Sequence, residues 1–210
     1  MGIPAIDSNI IGDVPDLHAK RVVSEMLKFL SELASLFNPA LQRAISSPIG
    51  GNVKAQERYI ERVCATRSPA VIDFGTYLGK RCRFGLMLSV WYADRNDGAT
   101  VWMYIANAHG PGTEKRRVGP VWRITNHALI RLVQRSGAHD AAKLLEAMRD
   151  IGKVMSDAMH QANMQAGDGK VLYVRFANGV CVLEWPAGSD VAIVKTILGP
   201  DMDHPQSGLH

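Results

Sequence analysis

The chain is short of cysteine, of long apolar runs and of recognisable leader segments, and each shortage excludes something. Only Cys64, Cys82 and Cys181 occur in 210 residues, odd in number and far apart. They form no Cys-x-x-Cys pair, so neither a disulfide framework nor a zinc site follows, and the thiols are read as buried and inert. A reducing cytoplasm is the expected setting. No stretch approaches the ~20 apolar residues that a membrane span requires. The N-terminal MGIPAIDSNIIGDVPDLHAK has no basic segment followed by an apolar one, so no signal peptide is read. Ile6 stands where N-myristoylation wants Ser or Thr. The Gly-rich HGPGTEKRR is not a phosphate-binding P-loop, because the Gly-Lys-Ser/Thr ending is missing. No cofactor and no metal are expected.

What is present is ordinary globular composition, 47% hydrophobic and 21% charged. That excludes a disordered chain, whose apolar content could not offset the entropy of ordering. The net charge of +4 is unevenly distributed. Residues 1–114 carry net +1 and residues 151–210 net −2. Between them, residues 115–150 hold eight basic side chains (Lys115, Arg116, Arg117, Arg123, Arg131, Arg135, Lys143, Arg149) against three acidic ones (Asp140, Glu146, Asp150), net +5. An anionic partner belongs there, or else the cluster is a solvated face.

Periodicity divides the chain. From His18 to Phe37, apolar residues recur at three and four, which predicts an amphipathic helix ended by Asn38-Pro39. A short helix over Ala40–Ile45 and a charged one over Val53–Ala65 follow. Residues 71–77, 82–93 and 100–105 read as strands, the last two as a hairpin around RNDGA. HGPGTEKRRVGP reads as a mobile basic loop, Val121–Ile124 as a short strand. TNHALIRLVQRSG is a well-marked helix, capped by Thr125 or Asn126 and ended by Gly137. A longer helix spans His139–Met164, with His139 at its cap. VLYVRFA and VCVLEW flank Asn178-Gly179, the preferred pair of a two-residue hairpin, and VAIVKTIL makes a last strand. The expected fold is α+β, with helices packed on an antiparallel β-sheet and an N-terminal helical extension. Residues 1–66 form the helical region, 67–200 the α+β domain and 201–210 a flexible tail.

His127, Arg131 and Arg135 lie four apart on one face of the predicted 126–136 helix, opposite Ala128, Leu129, Leu132 and Val133. Guanidinium groups grip phosphate oxygens and stabilise developing charge, while an imidazole can move a proton at a ribose hydroxyl. The bland alternative is a polar helix face with no function. The four tryptophans are read as core or strand-pair residues. Glu184 is either a base or a solvent-facing strand residue. Lys80, Arg81 and Arg83 give either phosphate contacts or a strand edge protected by charge.

ITNHALIRLVQRSG, with the following helix, the VLYVRFANGVCVLEW hairpin and VAIVKTIL, resembles the barnase–EndoU–colicin–RelE group of metal-independent ribonucleases, especially BrnT-like toxins. The resemblance covers about residues 118–198. It implies cleavage of RNA by attack of the 2′-hydroxyl, with His127, Arg131 and Arg135 on the helix and Lys195 and Thr196 on the last strand as catalytic residues. Lys115, Arg116, Arg117 and Arg123 would bind the substrate, and an inhibitory protein is an implied partner. More than a hundred residues precede the match, which departs from the compact toxins. Two other functions fit the residues: nucleic-acid binding without catalysis, and a protein-binding adaptor or immunity module docking through residues 18–37.

Overall fold

Alternating segments of the sequence become strands and three-four segments become helices, and the two kinds bury their apolar faces against each other. The computed structural model describes residues 15–46, 58, 71–79, 82–94, 97–108, 114–161 and 169–200, with side chains described for 15–33, 58, 89–94, 97–103, 119–155, 157–158 and 169–200. Their order is α1 (Asp16–Ser46), β1 (Val71–Gly79), β2 (Cys82–Ala93), β3 (Ala99–Ala108), β4 (Glu114–Ile124), α2 (Asn126–Ser136), α3 (Ala141–Gln161), β5 (Val171–Phe176), β6 (Gly179–Glu184) and β7 (Ala192–Leu198). The fold is α+β. The strands form one seven-stranded sheet in the order β1-β2-β3-β4-β7-β6-β5. All neighbours are antiparallel except β4 and β7, which run parallel through Trp122↔Ala192, Arg123↔Ile193 and Ile124↔Val194.

One hydrophobic cluster joins the helices to the sheet. From α1 it takes Ala19, Val22, Val23, Met26 and Leu30, and from α2 Ala128, Leu129, Leu132 and Val133. Leu144, Met148, Ile151 and Met155 enter it from α3. Register puts Trp91, Val101 and Trp122 on one sheet face, since Trp91 pairs with Val101 and Val101 with Trp122. Trp91 and Trp122 meet edge to face, with ring centroids 4.7 Å apart. Such a pair contributes about 0.5–1.5 kcal/mol beyond its buried area.

The helix expected as an extension therefore lays its apolar stripe in the core. Ala19, Val22, Val23, Met26 and Leu30, within the 18–37 segment read as a docking surface, pack against the protein's own α2 and α3. The same helix runs on through Asn38-Pro39 to Ser46, absorbing the separate 40–45 helix. An interior proline costs a helix about 3 kcal/mol through the lost N–H and the clash of its ring with the preceding turn, and α1 continues past it nonetheless. The predicted 53–65 helix lies outside the described residues except for helical Arg58.

Two further expectations change. β4 begins at Glu114, so Lys115, Arg116 and Arg117 belong to a strand rather than a loop, with backbones opposite Asn107, Ala106 and Ile105. Pairing with β3 satisfies a backbone whose Gly and Pro content signals a loop locally. Pro120 sits where the register shifts, between Val101 and Trp102, a place that tolerates a missing N–H. In the C-terminal hairpin the turn falls on Ala177-Asn178, and Gly179 is already in β6, paired with Phe176. Its φ of 148° and a distance of 2.2 Å from a built Cβ to the Leu198 carbonyl oxygen explain why glycine is there. Gly179 serves close strand approach, which a turn-based reading assigns to the wrong cause.

Cys181 is buried in the core, and burial pushes its thiol up to about 12. It is inert at neutral pH, as the sequence suggests. The side chains of Cys64 and Cys82 lie outside those described. No helix among the described residues is long and apolar enough to cross a membrane.

Gly98, in the β2–β3 turn, is the most constrained glycine. At φ +89° a Cβ would lie 2.0 Å from the Ile124 carbonyl oxygen and 3.0 Å from the Asn126 nitrogen. Gly98→Ala is expected to destabilise the fold by about 2–4 kcal/mol. Gly137→Ala, at φ +66° with open space around it, should cost only about 1–2 kcal/mol. Urea unfolding midpoints of the two variants measure the difference; equal midpoints would remove the close-approach argument.

Candidate functional site

The basic helix starts where three segments converge. Thr125, in extended conformation, caps α2: its Oγ1 accepts from the Ala128 N–H at 3.2 Å. The same hydroxyl donates to the Lys195 carbonyl at 3.3 Å, and the Thr125 N–H donates to the Val194 carbonyl, also at 3.3 Å. The Asn126 N–H donates to Asp97 Oδ1 at 3.0 Å. Of the two caps the sequence allows, Thr125 is the one used. Gly137, left-handed at φ 66°, ends the helix as expected.

His127 and Arg131 are exposed on α2, opposite the buried stripe. Arg131 Nη1 donates to Gln134 Oε1 at 3.2 Å, a bond along the helix surface. Arg135 is half-buried and leaves the stripe: a Cβ added at Gly199, beyond β7, would meet its guanidinium carbon at 3.6 Å. Lys195 has its carbonyl against the α2 cap, but its ammonium turns the other way. It pairs with Glu184 at 3.0 Å, on β6, across β7 from β4. Thr196 is half-buried opposite Val182. The structure thus brings the α2 cap and the Lys195 backbone together, while the charged ends of Arg135 and Lys195 go to other partners. Glu184 is an ion-pair partner, not a lone carboxylate.

Arg123 is placed differently from the other predicted substrate contacts. Pairing aligns Tyr92, Thr100, Arg123, Ile193, Glu184 and Val171 in one row across six strands. The row occupies the face opposite Trp91, Val101 and Trp122, because side chains alternate. On this face lies a half-open groove of about 570 Å³, lined by Arg123 with Asp94, Thr100, Trp102, Pro120 and Ile193, and by the 189–191 loop. Trp102 is 40% exposed, whereas Trp91, Trp122 and Trp185 are at most 8% exposed. So three tryptophans are core residues, and Trp102 is the exposed strand-pair residue of the four. The signal was in the sequence, since Trp102 alternates with the buried Val101. Tyr92 meets Trp102 edge to face at 6.2 Å, and burial raises its hydroxyl to about 12.

At α3, Asp140 rather than His139 supplies the cap, accepting from the Lys143 N–H at 2.8 Å. That bond, with His139 and Lys143 nearby, holds the Asp140 carboxyl below its ordinary range. A carboxylate accepts from backbone N–H groups more strongly than an imidazole does. Lys80 and Arg81 lie outside the described residues, and the side chains of Arg83, Lys115, Arg116 and Arg117 outside those described. Among the described residues no three His, Cys, Asp or Glu side chains are grouped to hold a metal.

Compared with known proteins, the chain matches no family model, no curated protein and no solved structure.

Thr125→Ala removes both the cap and the hydroxyl bond to β7, and should cost about 1–2 kcal/mol of stability. Thr125→Ser keeps the hydroxyl and should recover most of it. Chemical denaturation of the pair checks this; an Ala variant as stable as the parent would show that the junction holds without the hydroxyl.

Proposed function

We propose that the protein binds RNA through the basic segment running from β4 into α2, without a built catalytic centre. The observation that carries the reading is the exposed His127–Arg131 face on a helix fixed at both ends, inside a window of net +5. A helix capped by Thr125 and Gly137 and seated on the core holds His127 and Arg131 at fixed spacing on its exposed face, and fixed spacing is what contacts to backbone phosphates require. The phosphate term supplies affinity with little sequence preference.

The metal-independent ribonuclease is the second reading. What favours it is the bond between Thr125 and the Lys195 carbonyl, which sets the first turn of α2, with His127, beside the strand residue that the resemblance names. What ranks it lower is the Lys195–Glu184 pair and the position of Arg135 over Gly199, which draw two of the three proposed phosphate-stabilising groups away. An inhibitory protein partner belongs to this reading alone; a cytoplasmic setting suits both.

Fluorescence anisotropy with a labelled single-stranded RNA tests the first reading. Affinity should fall steeply with salt, and Arg131→Glu should weaken binding at every sequence tried, lowering the salt slope by about 0.7 for each phosphate no longer neutralised. Salt-independent binding, or none, overturns it. The same RNA incubated in EDTA separates the second reading: cleavage that disappears in a folded His127→Ala variant would establish catalysis, and intact RNA would dismiss it.

A further inference from the structure

The groove on the open sheet face is a site of its own, and its chemistry does not depend on the α2 helix. Three features define what it takes. Trp102 is the one indole of the four that reaches solvent. Large apolar side chains usually go under cover, and this one stands at the rim of a concavity that the protein leaves open.

Arg123 lies in the same groove, and its guanidinium makes no hydrogen bond or ion pair among the described residues. Its neighbours explain why. In the cross-strand row it sits between Thr100 and Ile193, neither of which is a carboxylate. Glu184, one strand further, is neutralised by Lys195 at 3.0 Å. Asp94 Oδ2 accepts from the Thr100 hydroxyl at 3.0 Å, which orients the carboxylate on the groove wall. The Ser189 hydroxyl is used by its own loop, donating to the Val191 carbonyl at 2.9 Å and accepting from the Val191 N–H at 3.0 Å. One guanidinium fork is thus left facing a cavity whose size suits a small organic molecule.

We infer that this groove binds a nucleotide, with the base stacked on Trp102, the phosphate on Arg123, and Asp94 accepting from a base N–H or a ribose hydroxyl. A flat π-system, a compact dianion and a hydrogen-bond donor in one molecule answer the three groups together. A bare anion does not, because it engages Arg123 alone and leaves Trp102 uncovered. The nucleotide is either free or one residue of a single strand, where stacking on aromatic side chains is the common mode of base capture.

Intrinsic tryptophan fluorescence reads the site directly, since Trp91, Trp122 and Trp185 are buried and a stacked base quenches the exposed indole. The full chain is titrated with each of the four ribonucleoside monophosphates, the matching nucleosides, inorganic phosphate, and hexamers of uridylate and adenylate, with calorimetry alongside. Nucleoside monophosphates should quench and bind, and nucleosides should bind at least about tenfold more weakly. Trp102→Ala should abolish the quench and weaken calorimetric affinity by about five- to a hundredfold, with the unfolding midpoint held near the parent's. Arg123→Gln should bring the nucleotide down to the affinity of its nucleoside. Hexamers binding no tighter than monophosphates identify the free nucleotide as ligand; much tighter hexamer binding identifies the strand.

No quench and no heat at millimolar nucleotide overturn the inference. So does binding that neither substitution changes, or inorganic phosphate binding as well as the nucleotide. Salt-dependent RNA binding that survives Trp102→Ala and disappears in Arg131→Glu, without nucleotide binding, sinks the groove and leaves the helix reading standing. Nucleotide binding with no long-RNA affinity does the reverse.

Discussion

Three parallel residue pairs between β4 and β7 are the constraint on which the rest depends. They join the four-strand meander to the three C-terminal strands, and without them the seven-stranded sheet is two smaller ones. The join is short, so it is reinforced at the point where β4 becomes α2. There the Thr125 backbone and side chain bond β7, the Asn126 N–H bonds Asp97, and Gly98 lets the β2–β3 turn press against the Ile124 carbonyl. The two pieces of the sheet and the start of the helix are therefore fixed by the same few atoms. Displacing that junction moves the basic helix and the open-face row together.

The sheet is asymmetric because its helices share one core. α1, α2 and α3 bury their stripes in a cluster that takes Trp91, Val101, Trp122, Leu183 and Val194 from one face. Strand alternation then sends the intervening residues to the other face, whatever their polarity. Trp102 and Arg123 end up beside a groove as the counterpart of a well-packed core on the other side. The ion pair Lys195–Glu184 occupies that face too, so the one carboxylate in Arg123's cross-strand row is already paired.

The functional reading changes with this geometry. A stripe of His, Arg and Arg on one helix looks like a single site, and on the helix surface His127 and Arg131 do stay together. Arg135 bends toward the end of β7, and Lys195 reaches for β6. The residues that suggest catalysis are near in chain and backbone, but Lys195 is paired with Glu184 and Arg135 lies beside Gly199. The residues that form a concave, mixed aromatic and cationic surface come instead from β2, β3, β4 and the stretch leading into β7, which no motif links.

Much of the architecture is legible from periodicity. The 126–136 helix with its Thr125 and Gly137 caps, the strands of the meander, and the three last strands all follow from patterns within about ten residues. Local patterns fail where pairing or packing overrides them. Pro39 does not end α1, the Gly- and Pro-containing 114–120 segment is a strand because β3 supplies partners, and Gly179 answers a carbonyl of β7 rather than a turn. The shortage of cysteine and of apolar runs already left a disulfide framework and long membrane-spanning helices without support, and periodicity pointed to the α+β class. What only the tertiary structure decided is which strands meet, because register and the parallel β4–β7 pairing are long-range. The β3–β4 register sets Arg123 beside Trp102, the β4–β7 pairing adds Ile193 to the same groove, and the β6–β7 register gives Lys195 to Glu184.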